Sequence, residues 1–135
     1  MARLQSYERK NIYKDFDISF SVHPLTGDVG SKTDVNAINQ SITNLVATNF
    51  YERPFNPEIG CNIRALLFQP ADPITVQDLR QAISETIGNY EPRVSLISIF
   101  IEDRPDMNAY NLQIHYRINN RNETSTLDIV LKRLR

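Results

Sequence analysis

Apolar and polar residues alternate along this chain in two rhythms, and the changes of rhythm mark out its elements. In "DFDISFSV", residues 15–22, Phe16, Ile18, Phe20 and Val22 fall on one side and Asp15, Asp17, Ser19 and Ser21 on the other. A period of two predicts a half-buried strand. The following "HPLTGDVGSKT" is rich in Pro, Gly and small polar residues and predicts a loop. From Asp34 the period lengthens: Val35, Ile38, Ile42, Leu45 and Val46 recur at three- and four-residue steps. This predicts an amphipathic helix to about Phe50, started by Thr33 or Asp34. Two prolines in "ERPFNPEIG" stop it, and "CNIRALLF" predicts one or two helical turns.

A second long helix follows. Thr75 and Asp78 are spaced as a weak capping pair, and Val76, Leu79, Ile83 and Ile87 form a stripe with Ala82 beside it. Gly88 permits an exit and Pro92 enforces it. The rhythm then returns to two. "RVSLISIFIED" is dense in β-branched residues, but its alternation changes phase near Leu96-Ile97, which predicts a bulge or burial on both faces. Tyr110, Leu112, Ile114, Tyr116 and Ile118 alternate with polar neighbours, and Leu127, Ile129 and Leu131 form a last alternating run. Short turns at "RPDMN" and "NNRN" link these three strands into an antiparallel meander. The expected fold class is α+β: a single two-layer domain over residues 1–135 with an N-terminal strand, two main helices plus a short one, and the C-terminal three-stranded meander.

Composition narrows the function classes. A chain of 135 residues can bury about two-thirds of its unfolded surface, enough for one core. Fifteen basic against sixteen acidic residues leave a net charge of −1, so no overall field favours nucleic acid or a membrane, and neither is expected as a partner. Arg3, Arg9, Lys10 and Lys14 gather at one end and Lys132, Arg133 and Arg135 at the other. Residues 1–14 are expected to be a flexible arm or one that docks on an acidic neighbour. The single Cys61 excludes an internal disulfide, and no apolar run reads as a signal peptide or a membrane span, so use in solution is expected.

The search for chemistry yields little. His23, His115 and Cys61 lack metal-ligand spacing, and no metal or cofactor is expected. "TGDVGSKT" lacks the Gly-Lys pair of a phosphate loop, and no nucleophile motif is present. A glycosidase would need two carboxyls about 5–10 Å apart, for which Glu52, Glu58 and Glu91 are the candidates.

One short unit stands out. In "NYEPRVSL" the residue before Pro92 is pushed out of the helical region, so Glu91 is expected to be extended, with Arg93 opening the next strand. Side chains two apart in extended chain share a side, roughly 6.6 Å apart along it. Glu91 and Arg93 are thus presented together, with the geometry fixed by the proline ring. The arginine keeps the acid ionised, which argues against a general acid. Two readings stay open on physics alone: a grip for a partner's carboxylate, or a helix end whose charges pair locally.

"YERPFNPEIGCNIRALLF", a capped helix and then "NYEPRV" together resemble the contractile-tail baseplate wedge family, which includes phage sheath initiators and a type VI secretion homologue. The resemblance runs from about Asp34 through the last strand. It implies a structural, non-enzymatic protein of the virion tail baseplate, assembled in the host cytoplasm. Glu91, Pro92 and Arg93 would dock on a core bundle of larger wedge proteins. Strands near 109–118 and 124–133 would offer an edge through which tail sheath subunits attach by strand exchange, close to the tail tube. Arg53-Pro54-Phe55 and Pro57 to Gly60 would shape the turn between helices, with Arg53 or Glu58 at an interface. The same module in a bacterial injection machine, or a lysozyme-like enzyme, a label some members have carried, are the alternatives. The N-terminal strand lies outside the matched motifs.

Overall fold

A computed structural model describes residues 13–133. Contacts divide the chain into two compact units that meet between Ile38 and Asn39, inside a helix. The arm expected over 1–14 lies outside the described residues except for its last two positions, as does Arg135 at the other end.

In the first unit, β1 (Lys14–Phe16) pairs antiparallel with β2 (Ser31–Thr33), and an isolated bridge joins Val22 to Val29. The strand expected over 15–22 is therefore cut to its first residues, and part of the expected loop is a strand. The cause is Asp17. Its carboxylate accepts the Ser19 N–H at 3.0 Å and its carbonyl accepts the Phe20 N–H, which turns the chain out of the extended region. A short side chain competing for local backbone donors overrides the alternating pattern. Phe20 is driven to φ 50°, and Phe16, Ile18, Phe20 and Val22 are all exposed. Helix α1 (Asp34–Ala47) begins where expected, and the Asp34 carboxylate accepts the Tyr13 N–H at 3.2 Å.

In the second unit α1 ends three residues before the expected Phe50. The Thr48 carbonyl accepts the Cys61 N–H at 2.7 Å, and the Glu52 carboxylate takes the Asn49 N–H at 3.0 Å. Backbone groups that would continue the helix are spent on the loop. Helix α2 (Ile63–Leu67) is the expected short helix, and α3 (Pro73–Tyr90) the second long one. The cap of α3 is Asp72 rather than Thr75: its Oδ1 accepts the Thr75 N–H at 2.7 Å, and Pro73 occupies the first turn. Proline there lacks only a donor that would be orphaned anyway. Thr75 is buried instead, and its hydroxyl donates to the Pro70 carbonyl.

Strands β3 (Val94–Arg104), β4 (Ala109–Ile118) and β5 (Thr124–Lys132) form the antiparallel meander in the order β3-β4-β5. The register slips between Leu96 and Ser98, so Ile97 is the extra residue of a bulge. Before it Val94 and Leu96 face β4's inner residues Ile118 and Tyr116, and after it Ile99 and Ile101 face Ile114 and Leu112. The five alternating residues of β4, Tyr110, Leu112, Ile114, Tyr116 and Ile118, are fully buried, with α3's Leu79, Ile83 and Ile87 in the same core. Each of the aliphatic ones contributes about 1.5–3 kcal/mol by leaving water. The Tyr116 hydroxyl donates to Asn39 Oδ1 at 2.6 Å, which ties β4 to α1. No described helix is long and apolar enough to cross a membrane.

Candidate docking site

The three residues after α3 form a turn closed on itself. Glu91 caps the helix with φ −125° and ψ 78°, outside the helical region as expected but short of fully extended, and its N–H donates to the Ile87 carbonyl at 2.9 Å. The Val94 N–H reaches back to the Glu91 carbonyl at 3.4 Å, so Pro92 and Arg93 are turn residues and β3 starts one position later than expected. Arg93 donates from Nε to Glu91 Oε1 at 2.6 Å and from Nη2 to Oε2 at 2.8 Å, a two-pronged ion pair within the motif. The Ser41 hydroxyl of α1 donates to Oε2 as well.

Burial divides the roles. The Glu91 side chain is 2% exposed and that of Arg93 23%. Burial pushes the Glu91 carboxyl up, but hydrogen bonds from Arg93 and Ser41 and the guanidinium's charge more than offset it, so it lies below its ordinary range. A group held ionised in this way cannot deliver a proton as a general acid. Asn119, in the β4–β5 turn, closes the other side. Its N–H donates to the Arg93 carbonyl at 3.1 Å, and its Nδ2 donates to the Pro92 carbonyl at 3.0 Å. Its Oδ1 accepts from the Ser95 hydroxyl at 2.5 Å.

The second motif is a loop of successive turns between α1 and α2. Arg53 and Glu58 are exposed, as are Tyr51 and Phe55. The Asn56 N–H donates to the Arg53 carbonyl and the Ile59 N–H to the Asn56 carbonyl. Hydrogen bonds from Asn49 lower the pKa of Glu52, leaving it ionised too. Gly60 is the anchor: it is buried at φ +150°, and a Cβ placed on it would lie 2.8 Å from the Thr48 carbonyl oxygen and the Asn49 carbonyl carbon. The loop meets the first motif through Tyr90, whose hydroxyl donates to the Glu58 carbonyl at 2.9 Å.

The structure thus gathers Glu91, Pro92 and Arg93 in one turn and leaves the Arg53 and Glu58 side chains on a separate exposed loop. Sequence reasoning missed Ser41 and Asn119, which lie 50 and 27 residues from their partners. Only the asparagine pair in a turn hinted at either. It also gave strands 109–118 and 124–133 equal standing as edges. β4 is hydrogen-bonded on both sides, so an incoming strand is refused there. β3 and β5 each pair with β4 alone among the described residues, and of the two strands expected to offer an edge β5 is the one that does.

Enterobacteria phage T4 baseplate wedge protein gp25 is 27% identical over 106 residues, covering 78% of both chains. A Geobacter sulfurreducens protein provisionally described as a tail lysozyme superposes with a TM-score of 0.69 at 24% identity, over 73% of this chain and 89% of its own. A chain of the anti-feeding prophage baseplate gives 0.63 at 19% identity, over 91% and 87%. A chain of the pyocin R2 baseplate after contraction gives 0.52 at 15%, over 81% and 95%. Those likenesses show a shared fold. The family of baseplate wedge protein gp25 matches residues 32–123, more than half of the sequence, and the chain belongs to that family of structural proteins of contractile tail systems.

Proposed function

We propose that this wedge protein docks on larger baseplate wedge proteins through Arg93 and seeds the tail sheath through the open edge of β5. The observation that carries the first half is the forked Glu91–Arg93 pair. A guanidinium fixed in plane, partly exposed and backed by a buried carboxylate is prepared to meet a partner at little cost in side-chain entropy. Glu91 is too buried to touch that partner and acts by holding Arg93. The second half is supported by β5, whose inner residues Leu127, Ile129 and Leu131 are only half-buried. A strand added there would cover them and satisfy the edge's backbone groups. Assembly takes place in the host cytoplasm before the tail is complete.

Arg93→Ala is the direct probe. Because it strips the buried Glu91 of its ion pair, its thermal midpoint is read alongside, with Arg93→Lys, which keeps a cation there and loses the fork, run beside it. Co-expressed with the wedge proteins of its own tail cluster, the alanine variant is expected to fall out of the purified complex. Retention at the wild-type level would sink the docking half. A reconstruction of the assembled tail with no strand beside β5 would sink the other.

The protein acts without catalysis. Of the three candidate acids, Glu52 and Glu91 are held ionised and Glu91 is buried behind Arg93, the reverse of what a sugar-protonating acid needs. Purified protein incubated with peptidoglycan is expected to release no muropeptides above a buffer control. Release that Glu58→Gln abolishes would overturn this.

A further inference from the structure

Two separate segments converge on the Glu91-Pro92-Arg93 turn, and each contributes a side chain to which nothing in the motif points. Ser41, from the middle of α1, supplies the third donor to a carboxylate that Arg93 already holds with two. Asn119, from the β4–β5 turn, grips two successive carbonyls, Pro92 by its side chain and Arg93 by its backbone N–H, while Ser95 orients its amide. We infer that Ser41 and Asn119 are positioning residues: they fix the plane and direction of the Arg93 guanidinium, and through it the strength of docking. The inference rests on the docking reading above.

The argument is one of degrees of freedom. A fork between Glu91 and Arg93 fixes the two side chains relative to each other but not to the rest of the protein. Turning the carboxylate about its last torsion would swing the guanidinium with it, and that torsion is broad and weakly preferred. The Ser41 hydroxyl binds Oε2, the oxygen that also receives Nη2, and so removes that rotation. Asn119 does the same for the backbone beneath. A proline ring fixes φ of residue 92 but not the peptide plane after it, and the Asn119 amide holds that carbonyl. Long side chains lose most of their rotamer freedom when they are pinned. Arginine pinned before the partner arrives loses less on binding, which is where preorganisation raises affinity.

The test uses the full-length protein and three readouts: retention by the co-expressed wedge proteins, thermal midpoint, and the Arg93 Nε–H resonance in the free protein. Ser41→Ala and Asn119→Ala are each expected to stay folded and weaken retention by about tenfold. The Arg93 Nε–H signal should shift or broaden in both, and Ser41→Thr should restore signal and binding together. Should Ser41→Ala fail to fold, Asn119→Ala, on an exposed turn, carries the same test. Wild-type retention by both variants, when Arg93→Ala is lost, overturns the inference and leaves docking intact. Wild-type retention by Arg93→Ala overturns docking and with it any effect of positioning on affinity. An Arg93 signal unmoved in both alanine variants overturns positioning itself, whatever the binding result.

Discussion

Gly60→Ala is expected to lower the stability of the fold by about 3 kcal/mol, read as a fall in the denaturant midpoint at unchanged slope. Two costs combine. At φ +150° a residue with a side chain is strained by about 1–3 kcal/mol. The added methyl would also press on the backbone of Thr48 and Asn49, which cannot rotate away as a flexible side chain would. That backbone is where α1 hands over to the loop, through the bond from the Cys61 N–H to the Thr48 carbonyl. The Thr86 hydroxyl, which donates to the Gly60 carbonyl at 3.2 Å, would lose its alignment as well. A midpoint within error of wild type would show that the loop yields freely and that Gly60 anchors nothing.

The second large effect belongs to Glu91→Gln, which keeps the shape and removes the charge. An amide in that place sets an NH2 group against the donors of Arg93 or Ser41, so at least one part-buried donor is left unmet. The expected loss is about 2–3 kcal/mol near neutral pH. Its pH dependence has a definite sign. The folded-state pKa of Glu91 lies below its ordinary value of 4.5, so its contribution is fully present above about that pH. It is lost as pH falls through the lower folded value, where both states are protonated. The stability gap between wild type and Glu91→Gln should therefore be flat near neutrality and close on acidification below 4.5. A gap that widened with acid would contradict the ion pair.

These two residues show what could be read in the sequence and what could not. Local periodicity was informative wherever one face is buried: every inward residue of β4 and the α3 stripe of Leu79, Ile83 and Ile87 were legible, and so was the bulge. In each case a single physical demand, burial of one face, sets the pattern. It failed where a short polar side chain took a nearby backbone group, as with Asp17 in the truncated first strand and Asp72 at the cap of α3. Such bonds compete over two or three residues and leave no period. The proximity of Glu91 and Arg93 was legible because it is local. Local pairing of their charges was one of the two readings open from sequence, and the fork is that pairing. The burial of Glu91 and the hold of Ser41 and Asn119 were not legible, since those depend on which distant segments the fold delivers.

The bulge at Ile97 gives the sheet a direction. A strand arriving along β3 would meet a break in register and locally stronger twist. Along β5 it would meet nine residues in unbroken register. One side is blunt and the other receptive, so addition by backbone pairing would proceed from this subunit one way only. If the proposed strand addition holds, extension at a single side would fix the polarity of whatever is built on this subunit, before any second one has bound.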